Sequence, residues 1–372
     1  MAQTAPWPRP ALRGAANRLF TSLPRALHEA RGGSPSSTGA RINTTHTLSQ
    51  AALPRQASIQ YLPVNLFASV MGISGLALAW RQAGHQFGAS PLVDAAISSI
   101  AVAIFVVLCI AYAAKAVLHP SAVRGEFLHP IAGNFFGTVT IAILLISSVV
   151  APLSNRASEI LWSIGAAATI TLSFTIVSRL LRGKVDAGHS VPAWLIPGVA
   201  TLDITVAGGT MPMGWARELN LFSMAVGTMV ALVFFTMIMS RLIHHQEKLA
   251  NEMVPSLMIL IAPFEVGFLA YTNFFQRVDA FAAMLFYFGL FVFFSLAFKI
   301  FKRSIAFAAG WWALSFPIAA LCNAALRYAE HVRHPAMTGL AVALLAFLSG
   351  LIAVLLFRTI RLAASGKLLA PR

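Results

Sequence analysis

Ten long apolar stretches separated by short polar turns run from Leu62 to about Ala363. They lie near residues 62–80, 91–118, 131–153, 157–181, 192–209, 217–243, 254–275, 278–301, 306–327 and 335–363. A helix needs about 20 apolar residues to cross about 30 Å of hydrocarbon. All ten stretches meet that length, the fifth only just, so the pattern predicts ten transmembrane helices. Turns as short as 154–156, 276–277 and 331–334 make consecutive helices antiparallel, which predicts five helical hairpins. Pro63, Pro91, Pro130, Pro192, Pro255 and Pro335 fall in first turns, where a missing N–H costs little. Pro197, Pro263 and Pro317 fall well inside the fifth, seventh and ninth stretches, all odd-numbered.

An interior proline removes one N–H and crowds the carbonyl four residues earlier, here those of Ala193, Ile259 and Ala313. In hydrocarbon such a break survives where neighbouring helices or cavity water satisfy the freed group. The broken odd helices are therefore expected inside, around a pore, with unbroken even helices facing lipid. Converging helix ends carry partial charge and can hold a permeating ion. The plainer alternative is that each proline serves packing alone.

Composition agrees with a bilayer setting. The chain is 58% hydrophobic and 10% charged, with mean hydropathy +0.76, more apolar surface than a water-soluble globule hides. A net charge of +15 raises the question of nucleic acid. The basic residues, however, sit at the ends of apolar stretches rather than in one block, which is a topology signal. With both termini in the cytoplasm, only Arg81, Arg156, Arg217, Arg277, Arg327 and Arg333 of the 27 Lys and Arg fall outside. This predicts a multi-pass protein of the plasma (bacterial inner) membrane with both termini cytoplasmic, and no nucleic-acid partner. Residues 1–57 read as a disordered, basic cytoplasmic tail with Glu29 as its one acid. That composition also fits an organelle transit peptide, while the apolar core of a secretory signal is missing. Residues 58–365 form the ten-helix domain, and 366–372 a short cytoplasmic C-terminus.

The candidate chemistry is sparse. No phosphate-binding glycine loop, Ser-His-Asp set or Cys-x-x-Cys is present, so neither an enzyme nor a cofactor is expected. Cys109 and Cys322 lie within spans and the histidines at boundaries, which gives no metal spacing. Lys and Arg are absent from span centres, so no fixed cation is expected along the conduit, and a weak multi-site path suits conduction. Asp203 and Glu265 are intramembrane carboxylates, each costing roughly 2.5–3.5 kcal/mol at mid-membrane, and are expected to face the interior. Ionised, such a group repels anions; neutral, it takes up a proton alongside an anionic substrate, and a purely structural role is the third option. Asp94, in the first turn of the second helix, reads as structural. Phe316 directly precedes Pro317 in Trp311-Trp312-Ala313-Leu314-Ser315-Phe316-Pro317, where a ring can be held across a conduit.

Over roughly Ile59 to Leu369 the chain resembles the tellurite-resistance/dicarboxylate transporter family, which includes TehA-like proteins, malate and sulfite carriers, and plant slow anion channels. The resemblance rests on His129-Pro130 followed by Asn134-Phe135-Phe136, on Ala262-Pro263-Phe264, on Trp311 to Pro317, on Gly366-Lys367-Leu368-Leu369, and on ten spans in order. It implies an all-α fold of five hairpins, odd helices in an inner pore ring and even helices outside, assembled as a homotrimer with one pore per subunit. It also implies a phenylalanine gate in the ninth helix, for which Phe316 is the first candidate and Phe307 the second. The expected function is an anion channel or channel-like transporter for small anions or organic acids. The alternative is a proton-coupled dicarboxylate or sulfite carrier using an intramembrane carboxylate.

Overall fold

The computed structural model describes residues 58–183, 186–245, 249–301 and 305–370. The predicted tail, 1–57, lies outside the described residues, as do Lys184, Lys248, Lys302, Arg303 and Arg372 of the charge pattern. Among the described residues every regular element is helical. Nine helical segments among the described residues are long and apolar enough to cross a membrane, and a shorter apolar one covers Pro192–Gly208, the marginal fifth span. This is a multi-pass membrane protein.

The odd spans are each built in two parts, a 3-10 segment followed by an α-helix. Val64–Leu66 leads into α1 (Phe67–Phe87). Ala132–Phe136 leads into α4 (Gly137–Val150), and Pro192–Leu195 into α6 (Ile196–Gly208). Asn251–Ile261 leads into α8 (Ala262–Phe275), and Ala309–Leu314 into α10 (Ser315–Val332). The even spans are unbroken α-helices: α2 (Pro91–Leu118), α5 (Asn155–Leu180), α7 (Ala216–His244), α9 (Ala280–Ile300) and α11 (Pro335–Ala364). A short polar helix, α3 (Pro120–Leu128), follows α2.

The 3-10 geometry explains how the interior prolines are accommodated. The carbonyls of Ala193 and Ile259, expected to lose their partners, instead accept from Ile196 and Ala262, the residues directly before Pro197 and Pro263. An i to i+3 bond thus replaces the i to i+4 bond that proline removes. Hydroxyls reinforce the same turn. Thr201 and Ser173 both donate to the Pro197 carbonyl, at 2.8 and 3.0 Å. Thr138 donates to the Phe135 and Val64 carbonyls, and Ser315 to those of Trp312 and Ala68. In hydrocarbon these side chains supply the partners that water would supply elsewhere.

Helix ends extend the sequence reading at two places. α1 runs on to Phe87 rather than stopping near residue 80, because Arg81 is satisfied locally. Its guanidinium pairs with Asp94 at 2.8 Å and donates to the Ser148 and Val149 carbonyls at the end of α4. Gly88, at φ +69°, then closes the helix. α10 likewise continues past Arg327 to Val332.

Burial separates the two sets of spans. In the four odd spans long enough for comparison, between 67% and 83% of the apolar window is buried, against 6% to 33% in the even spans. Each odd helix packs on the even helix that follows it. α1 also packs on α4 and α10, α4 on α6, α6 on α8 and α8 on α10. The 3-10 segments repeat that order of neighbours. At the α6–α7 contact a Cβ on Gly198 would lie 2.9 Å from the Ala231 backbone nitrogen, so glycine is what permits the close approach.

Candidate functional site

Two cavities lie among the odd spans. The larger, about 230 Å³, is walled by α1, α4, α6, α8 and α10. Its polar lining includes Gln82, Ser148, Asp203, Asn273, Asn323 and Arg327. The smaller, about 20 Å³, sits where the 3-10 segments turn into α-helices, and its wall includes Met71, Ile141, Ile196, Val199 and Ile259. That volume admits about one water molecule. Among the described residues Phe316 is the one side chain that lines both cavities.

Phe316 is held by its neighbours in sequence. Trp312 donates from its indole N–H to the Thr359 hydroxyl of α11 at 2.9 Å, and Ser315 bonds back to Trp312 and across to α1. Pro317 directly follows, in the first turn of α10, and lines the smaller cavity with Phe316. Phe307 lies elsewhere, partly buried against Trp311 with the Arg358 guanidinium 5.8 Å from its ring centre, and lines neither cavity.

The two carboxylates part company. Asp203, 2% exposed, lines the larger cavity, and its Oδ2 has no hydrogen-bond partner among the described residues. Glu265 is fully buried, and neither carboxylate oxygen has a partner among the described residues, but it lines neither cavity. Its carboxylate sits against Gly289 of α9, where an added Cβ would collide with it. Pro197 and Pro263 lie one residue into α6 and α8, next to wall residues of the smaller cavity.

The expectation that no fixed cation lines the conduit bears on Arg327, a cation on the wall of the larger cavity. Read from sequence as the last residue of the ninth stretch and counted on the outer side, it stands inside α10, which runs on to Val332. Its guanidinium donates to Asn273 Oδ1 at 2.5 Å and to the Thr272 carbonyl at 3.2 Å, both on α8. Asn273 in turn donates to the Val206 carbonyl of α6, and Asn323 to the Gly75 carbonyl of α1. Among the described residues no group of three or more His, Cys, Asp or Glu is placed to hold a metal.

Residues 61–360 match the family model described as "Voltage-dependent anion channel". The chain belongs to that family. Within it, the S-type anion channel SLAH3 of Arabidopsis thaliana is 27% identical over 87% of this chain and 52% of its own length. SLAH4 of the same plant is 29% identical over 84% of this chain and 86% of its own length. The tellurite resistance protein TehA homolog of Haemophilus influenzae is 25% identical over 72% and 81%. The chain thus spans about half the length of SLAH3 and most of the length of the other two. Membership agrees with the resemblance carried by the sequence motifs, and the structure gives several of those motifs a physical role. His129 Nδ1 accepts from the Ile131 and Ala132 backbone N–H groups, and Asn134 donates to the Pro130 carbonyl, both fixing the entry to α4. Gly366, at φ +70°, turns the chain into Lys367–Leu369, where the Leu369 carbonyl accepts from Ser58.

Proposed function

We propose that the protein is an anion channel or channel-like transporter that moves small anions or organic acids across the membrane. The five odd spans form an inner ring around the path, the even spans an outer ring, and the Phe316 ring occludes the passage. The observation that carries this reading is the position of Phe316 between a polar cavity and an apolar one, each walled by all five odd spans. The proposal includes a plasma-membrane location, cytoplasmic termini and a homotrimer with one path per chain, as family membership suggests.

The test is anion flux from purified protein in liposomes, native against Phe316→Ala, with chloride, nitrate, sulfite and malate. Removing the ring is expected to raise conductance; equal flux in the two proteins would sink the gate assignment. A second reading, a proton-coupled dicarboxylate or sulfite carrier, is favoured by Asp203, which lines the larger cavity where Glu265 does not. Under that reading flux requires a proton gradient, and Asp203→Asn removes the dependence. Gradient-independent currents in both native and Phe316→Ala protein would exclude it.

A further inference from the structure

We propose that the larger cavity contains an oxyanion-binding subsite built on Arg327, one that prefers planar oxyanions with two adjacent oxygens, such as carboxylates or nitrate, over halides. The proposal rests on the reading of this cavity as part of the anion path.

Arg327 lines the cavity and is half-buried. A guanidinium has five N–H donors, and two of those in Arg327 are spent on α8, on Asn273 Oδ1 and the Thr272 carbonyl. The other three have no protein acceptor among the described residues. Both acceptors are neutral, so they orient the guanidinium without cancelling its charge. Glu330 on the same helix is close enough to act on Arg327 electrostatically, but no ion pair joins them among the described residues, and its carboxylate accepts from Gln86 at 3.0 Å. Asn273 is itself tied to α6 through the Val206 carbonyl, which fixes the plane of the fork before any ligand arrives. Preorganised guanidinium donors match two coplanar oxygens better than a spherical ion, because both N–H bonds then run straight to their acceptors. The volume of about 230 Å³ leaves room for a small organic anion with some of its water. Asp203 lines the same cavity and, when ionised, disfavours a ligand that brings a second full negative charge near it.

The two donors spent on α8 serve a structural purpose by pinning α10 to α8, so the test must separate binding from folding. Full-length protein in nanodiscs is titrated calorimetrically with acetate, nitrate and chloride, comparing native, Arg327→Lys and Arg327→Gln, each checked by its size-exclusion profile. Native protein is expected to bind acetate and nitrate at least tenfold more tightly than chloride. Arg327→Lys keeps the charge and the fold but loses most of that preference, because an ammonium presents no planar fork. Native protein without an oxyanion preference, or Arg327→Lys with the preference intact, would overturn the subsite. Should Arg327→Gln fail to fold, the Lys variant decides. Liposome flux in Phe316→Ala and in Phe316→Ala with Arg327→Lys separates the two proposals. Large flux with unchanged selectivity in the pair rejects the subsite and leaves the channel standing. Loss of the binding preference in Arg327→Lys, with no flux in Phe316→Ala, rejects the gated channel and leaves the subsite.

Discussion

Glu126, on the short helix α3, organises the start of the first span. Its Oε1 accepts from the Val64 backbone N–H at 2.8 Å, and its Oε2 accepts from the Tyr112 hydroxyl at 3.0 Å and from Lys115 Nζ at 2.6 Å. Lys115, 3% exposed, also donates to the Leu62 carbonyl. The arrangement joins α2, α3 and the first 3-10 segment at one membrane face. Removing one partner of a buried pair leaves the other charge uncompensated, which costs about 3–5 kcal/mol. Glu126→Gln is therefore expected to lower the apparent melting temperature of the purified protein markedly. Adding Lys115→Met should restore much of the loss, since no buried charge then remains. A single variant that melts with native protein would refute this account. From sequence, Lys115 is a basic residue at a span end, and its partner eleven positions on belongs to a segment with no periodic signal. The end of the ninth helix was hidden for a related reason. Hydropathy falls after residue 327, but the helix continues for another turn because Arg327 finds acceptors on α8.

At the scale of elements, chain pattern reveals existence and order far better than orientation. The nine spans and the shorter apolar helix among the described residues follow from apolar length, and the breaks of the fifth, seventh and ninth stretches from Pro197, Pro263 and Pro317. The first and third spans make the same 3-10 to α switch without an interior proline, so the pattern passes over them. Their switches depend on distant partners: Glu126 for the Val64 N–H, and Thr138 bridging to the Val64 carbonyl. Rotation about the helix axis was equally hidden. Asp203 and Glu265 both read as interior carboxylates, yet α6 turns Asp203 into the cavity while α8 turns Glu265 against Gly289 of α9. A fully buried helix is apolar on every face, so hydrophobic periodicity leaves its rotation undetermined. The place of Phe316 at the 3-10 to α junction is legible because it is local, directly before a proline.

Across the whole molecule, the proposed path has two barriers in series rather than one. Phe316, which lines both cavities, is the proposed first barrier, and the second is an apolar neck of about 20 Å³ whose wall includes Met71, Ile141, Ile196 and Ile259. A hydrophobic constriction with room for about one water excludes ions by failing to stay wet. Removing the Phe316 ring joins the neck to the larger cavity and widens it, but leaves the aliphatic wall in place. Ile259, 5% exposed and near the end of its 3-10 segment, is an aliphatic wall residue, so its truncation disturbs no hydrogen bond of a side chain. Ile259→Ala alone is expected to leave anion flux close to native, because Phe316 still blocks the route. Combined with Phe316→Ala, it should raise flux several-fold above Phe316→Ala alone, since the second barrier then falls as well. The measurement is single-channel current from the four proteins under one chloride gradient. If Ile259→Ala by itself conducts as strongly as Phe316→Ala, the closing element is the aliphatic neck and the aromatic ring is only part of its wall.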